Sequence, residues 1–205
     1  GDRYRDALTY IDSLEVVLDL GPERLITGHF DPIVGAASIA DEVRAMQEAM
    51  RWVHDRTVDG MNAGTDVHTL MREVHIPDHL DVGEGYGQTK WNVRAIWENY
   101  AGWFHHRSTT ELYGVPLLAV APDLVAAAGA DALIAAARSH LDDDRAVEAL
   151  QLTDIVLGAE PRHDGANAVA IAAHESLLAA SENFWEQAWL KRSIAKKLDA
   201  QKTAA

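Results

Sequence analysis

Arg51-Trp52-Val53-His54-Asp55-Arg56-Thr57-Val58-Asp59-Gly60-Met61-Asn62-Ala63-Gly64 is the stretch in which a long apolar stripe runs out into glycine. Upstream, Ile39, Val43, Met46, Met50 and Val53 recur at three- and four-residue spacing, which sets them on one face of a helix. The spacing predicts a helix over 39–59 with Ser38 as N-cap, because a hydroxyl there accepts from an orphan backbone N–H of the first turn. Gly60, or a residue shortly after it, is expected to end the helix in a left-handed conformation.

The same periodicity extends to both sides. Ala7, Leu8, Ile11, Leu14 and Val17 predict a helix over 4–18, stopped by Gly21-Pro22, and Arg24 to His29 reads as a short buried strand. A lone strand leaves its backbone N–H and C=O groups without partners, so this beginning reads as the end of a larger α/β fold. A shorter helix is expected over 66–74, capped by Thr65 or Asp66, with Pro77 forcing extended or turn backbone behind it. Gly83, Gly85 and Gly87 make a loop that brings Tyr86 close to neighbouring backbone. Trp91, Arg94, Ile96, Trp97, Tyr100, Trp103 and Phe104 then fit an aromatic-rich helix over 90–104.

From Pro122 onward the chain is alanine-rich and reads as four or five helices, two of them divided by the segment from Pro161 to Gly165. With Pro161 as the closing proline of a tetratricopeptide-like unit, Ala137 and Ala149 fall at the small contact positions of its two helices. One or two such hairpins complete a helical bundle rather than a peptide-binding solenoid, since stacked pairs need neighbours to cover their faces. The fold class is therefore mainly α: a helical bundle with TPR-like hairpins, preceded by a terminal helix and strand.

Composition bounds the function. Thirty-two acidic against eighteen basic side chains give a net charge of −14, which disfavours nucleic acid, since that affinity rests on clustered Lys and Arg. The chain contains no cysteine, so a metal would need His and carboxylate ligands. No apolar run approaches the ~18–20 residues of a membrane span. The opening residues are not a signal-peptide hydrophobic region; if the natural protein is exported, its signal is expected to lie outside this chain.

Three segments together carry a resemblance. Leu25-Ile26-Thr27-Gly28-His29-Phe30-Asp31-Pro32-Ile33-Val34-Gly35, a strand followed by Gly-His and a proline, is similar to the last metal-ligand segment of metallo-β-lactamase-like hydrolases. The stretch 51–64 resembles the His-Asp, Thr, Met-Asn-Gly pattern that opens the alkyl sulfatase dimerisation domain. Val93-Arg94-Ala95-Ile96-Trp97-Glu98-Asn99-Tyr100-Ala101-Gly102-Trp103-Phe104 is similar to that family's Tyr-x-Gly-Trp-aromatic signature, and Asn183-Phe184 to another recurring pair. The chain thus resembles the C-terminal part of a zinc-dependent alkyl sulfatase. Residues 1–35 would be the end of its αββα metallo-β-lactamase-like domain, and 36–205 the helical dimerisation domain.

The resemblance implies a homodimeric enzyme that hydrolyses alkyl or aryl sulfate esters to alcohol and sulfate with two zinc ions. His29 would be a metal ligand, and Tyr100 and Arg94 would contact the sulfate. There are two departures: His105-His106 replaces the family's Asp-Gly, and no His-x-His-x-Asp-His cluster is present, so the zinc site is incomplete. The N-terminal catalytic domain is expected to lie outside this chain, and the chain alone to be inactive. Six tryptophans with Met46, Met50, Met61 and Met71 suit an interface or a core equally.

Each candidate also has a plainer reading. Tyr100 fits a core aromatic whose hydroxyl meets a backbone carbonyl. His54 and His68 fit packing or hydrogen bonding at helix ends, and Pro77 breaks the helical spacing between His75 and His79. Asp142-Asp143-Asp144 lacks the ligand spacing of an EF-hand and reads as a solvated helix start. Two rival functions follow: a non-catalytic TPR-like interaction module, and a related metallohydrolase acting on another ester.

Overall fold

The computed structural model describes residues 6–105 and 107–202, with side chains as far as 199, and resolves into two compact units that divide at 108/109. The boundary drawn from the sequence at 35/36 falls inside the first unit, where the helix before it packs against the helix after it. Tyr4, the expected start of the first helix, and His106 lie outside the described residues.

In the first unit α1 spans Ala7–Asp19, and Asp6 caps it by accepting from the Thr9 N–H at 2.7 Å. The two-residue strands β1 (Arg24–Leu25) and β2 (Ile33–Val34) pair antiparallel, Arg24 opposite Val34 and Leu25 opposite Ile33. This corrects the buried lone strand over 24–29: β1 has its partner within its own hairpin, and Ile26 is 76% exposed. An apolar run of that length reads alike as a buried strand or as a hairpin arm, and only the return at Ile33 decides between them.

Helix α2 runs over Ala36–Asn62, beginning at Gly35 rather than Ser38 and passing through Gly60 before Gly64 takes φ of 79°. Gly60 is needed for a different reason than capping: a Cβ there would lie 2.3 Å from Leu70 Cδ2, so its bare Cα lets α2 meet α3. α3 (Val67–Glu73) starts where Asp66 accepts from the N–H groups of His68 and Thr69. α4 (Thr89–Ala101) ends three residues before Phe104, at Gly102 with φ of 72°. Val53, Leu70, Val74, Val93 and Ile96 form the buried centre, with Met50, Met61, Met71 and Trp97 packed against it.

The second unit holds α5 (Ala121–Ala128), α6 (Ala130–Asp142), α7 (Ala146–Ala159), α8 (Asp164–Ala180) and α9 (Phe184–Lys202), so five helices follow residue 120. From α6 onward each packs against the next, while α5 lies on α7 and α6. Ala137 and Ala149 are both fully buried, as the hairpin reading requires. Asp142, Asp143 and Asp144 correct the expected helix start: α6 ends at Asp142, and Asp144 turns the chain at φ of 59°. Asp tolerates left-handed backbone better than most residues, which explains its place at that turn.

Candidate functional site

His54 and Tyr100 stand 46 residues apart and are brought together because α4 packs along α2. His54 is 8% exposed on the inner side of α2, and Tyr100 lies near the end of α4, where Gly102 releases the chain. The imidazole Nε2 and the phenol Oη are 2.8 Å apart, and Nδ1 lies 2.8 Å from Asp55 Oδ1. A carboxylate oxygen only accepts, so Nδ1 carries a proton and Asp55 fixes the ring's tautomer. The imidazole is thus flanked by an exposed carboxylate and by a phenol whose residue is 52% exposed.

Of the two readings of Tyr100, a sulfate contact and a core hydroxyl on a backbone carbonyl, the second is corrected: the hydroxyl meets the buried His54 ring. His54 lies within α2, not at its end, and its partner was not readable from local spacing. Arg94 sits six residues before Tyr100, about 120° round the helix at ~100° per residue. Its Nε donates to Glu98 Oε1 at 2.8 Å. The structure therefore joins Tyr100 to His54 and Arg94 to Glu98.

His29 lies at the tip of the β1–β2 hairpin, in a cleft lined by Thr27, Gly28, Phe30, Asp31, Ile33 and Glu42. The Thr27 hydroxyl donates to the His29 carbonyl and Phe30 takes φ of 66°, so the tip is a tight, locally bonded turn. The glycine-rich loop sets Tyr86 against side-chain rings: its own ring stacks on that of His29 at 5.9 Å and meets Phe30 edge-on at 5.8 Å. Among the described residues no three His, Asp or Glu side chains converge as a metal site would require. His29 is one donor, and the described residues do not by themselves fit a zinc centre.

Elsewhere in the unit, burial lowers the proton affinity of His68, with the positive charges of Arg107 and Arg94 acting in the same direction. Asp66 is held as a carboxylate by the Thr69 hydroxyl at 2.6 Å and by the backbone N–H groups it caps. The Trp52 indole donates to the His75 carbonyl at 3.0 Å and so pins the segment beyond α3. In these contacts His68 and His75 take part through their backbone, the N–H of one and the carbonyl of the other, and both residues are exposed.

Comparison with known proteins follows this geometry. The family described as alkyl sulfatase dimerisation matches residues 67–199, well over half of the chain. A linear primary-alkylsulfatase of Pseudomonas sp. is 29% identical over 151 residues, covering 70% of this chain and 28% of that protein. An (R)-specific secondary-alkylsulfatase of Pseudomonas sp. is 26% identical over 200 residues, 93% of this chain and 30% of that protein. The solved structure of the stereoselective inverting sec-alkylsulfatase Pisa1 from Pseudomonas sp. superposes with a TM-score of 0.82 at 25% identity, covering 98% of this chain and 32% of that one. This chain accordingly spans less than a third of the length of these relatives. By its sequence match, and with a helical architecture shared with a solved alkylsulfatase, this chain belongs to the alkyl sulfatase dimerisation family.

Proposed function

We propose that this chain is the C-terminal part of a zinc-dependent alkyl or aryl sulfatase, where it holds two copies together and walls one side of the active site. The observation that carries the reading is the family match over 67–199 together with likeness to alkylsulfatases across nearly the whole chain. In the complete enzyme the two zinc ions would supply an activated water for ester hydrolysis, with His29 as one ligand and the remaining ligands in an N-terminal catalytic domain. Tyr100 is the sulfate contact proposed here. Arg94 is a weaker candidate, since Glu98 already engages it.

Dimerisation as a homodimer has physical support in large apolar side chains left at the surface of each unit. Trp103 is 71% exposed in the first, and Leu117 and Trp189 are 91% and 58% exposed in the second. Large apolar side chains exposed in this way suit a protein partner better than water.

Light scattering of the purified chain, with the intact mass of the encoded precursor, tests the reading. A dimer whose precursor carries a His-x-His-x-Asp-His segment upstream is expected, and a monomer whose gene encodes only these residues would overturn it. The isolated chain should not hydrolyse dodecyl sulfate with or without added zinc. Zinc-dependent turnover by it alone would sink the division of labour between the two parts.

A further inference from the structure

The hydrogen bonds around Tyr100 constrain how it can meet a sulfate. With Asp55 accepting from Nδ1–H, a neutral His54 presents Nε2 as a bare lone pair, and the Tyr100 hydroxyl donates its one proton to it. In that state the phenol offers an approaching anion only lone pairs, and an acceptor facing sulfate oxygens is repulsive. Protonating His54 reverses the bond: Nε2–H donates to Oη, and the phenol proton is released towards solvent. The Asp55–His54 pair changes at the same step from net negative to neutral. Both changes favour an anion.

We infer that Tyr100 binds a sulfate group only when His54 is the imidazolium, so that His54 and Asp55 are positioning residues that couple sulfate binding to the uptake of one proton. This rests on the reading of Tyr100 as a sulfate contact. No bond to sulfur forms or breaks in this step; a proton enters from solvent at His54 and leaves with the anion.

Other ionisable groups lie on the elements packed against α2: Asp6, Asp12, Glu15 and Asp19 on or beside α1, Lys90, Arg94 and Glu98 on α4, His68, Arg72 and Glu73 on α3, Arg24 in β1, and Asp78 and His79 in the short 3-10 turn before α4. Several already have partners: Arg94 holds Glu98, Gln47 donates to Glu15, and Asn99 donates to Asp6. The groups bonded to the His54 ring are Asp55 and Tyr100.

The test uses this chain with histidine labelled by nitrogen-15 and inorganic sulfate as the probe, at constant ionic strength across pH 5.5–8.5. At high pH the ring is expected in the Nδ1–H tautomer, and sulfate affinity should fall about tenfold per pH unit above the His54 midpoint, the limit for one coupled proton. His54→Gln, whose amide donates at every pH, should flatten the profile. The exposed-site change Asp55→Asn should move the profile to lower pH if the His54 variant does not fold. Tyr100→Phe should remove the pH-dependent component altogether.

A ring in the Nε2–H tautomer, sulfate binding that is independent of pH, or a pH dependence that survives Tyr100→Phe would each overturn the coupling while leaving the family reading intact. Absence of sulfate binding at every pH would remove Tyr100 as a sulfate contact, and the coupling with it.

Discussion

The two units bury their cores with different side chains. In residues 6–108 the buried set is branched: Ile11, Ile39, Val43, Val53, Val93 and Ile96 among others, with Ala7 and Ala49 the alanines present. In residues 109–202 it is dominated by Ala121, Ala137, Ala146, Ala149, Ala166, Ala170 and Ala173. Branched side chains hold helices apart and interdigitate, whereas alanines let helix backbones approach closely. A close helix–helix approach leaves little space for a long polar group, and the residues bearing the site follow that rule. Seven of the ten histidines fall before residue 109, His54 and His29 among them, while the second unit invests in packing. The lesson is that the unit with the branched core is also the one that carries the candidate site residues His29, His54 and Tyr100.

The comparison is broken most directly by truncating the first core. Ile96→Ala removes three carbons from a residue 4% exposed, flanked by Val53, Val93 and Leu70. It should cost about 3 kcal/mol, within the ~2–5 usual for such deletions, read as a shift in the urea midpoint at unchanged slope. A loss below about 1 kcal/mol would mean that the neighbours collapse into the cavity, and that this core is not held apart by its branched side chains.

The second core should fail in the opposite way, by excess. Ala149→Leu forces a branched side chain into the core that α7 shares with α5, α6 and α8, where Ala149 is fully buried. About 2 kcal/mol of destabilisation is expected, in the ~1–3 range for overpacking. A neutral result would show slack in the hairpin and undo the close-approach argument. Smaller still is Asn183→Ala: the Asn183 Oδ1 accepts from the N–H groups of Trp185 and Glu186 and starts α9. Its loss should cost about 1 kcal/mol, as N-cap removals do, and reduce helicity at the C-terminal end by circular dichroism.

Local chemistry was the legible part of this fold. Asp66 as an N-cap, the stop shortly after Gly60, the break around Pro161 and the small contacts Ala137 and Ala149 each depend on residues within a few positions of one another. What was not legible depends on the other side of a contact. Nothing near Gly60 announces Leu70, nothing in 24–29 announces the return strand at Ile33, and His54 names no partner until α4 lies beside α2. Asn183 lies between these cases: its recurrence beside Phe184 was visible as a pattern, and the structure supplies the capping bond behind it. The candidate site divides likewise: Tyr100 is a candidate by resemblance, and its hydrogen bond to His54 emerges only from the geometry.

The smallest effect concerns pH in the first unit. His68 in the first unit binds protons less readily when folded, first because of burial and then because of Arg107 and Arg94. Its folded affinity is lowered, so below its ordinary value of 6.5 the unfolded chain takes up the proton first. Stability should therefore decline as pH falls through the window just under 6.5 and be fully present above it. Asp66 acts lower down: hydrogen bonds from Thr69 depress its affinity, so its contribution is present above its ordinary value of 3.8 and is lost as pH falls below that. His68→Gln should flatten the first step without altering the second, measured as urea midpoints between pH 2.5 and 7.5. If the step persists unchanged in the variant, the sensitive group is another histidine, and His54, already placed in a proton-responsive network, becomes the one to test.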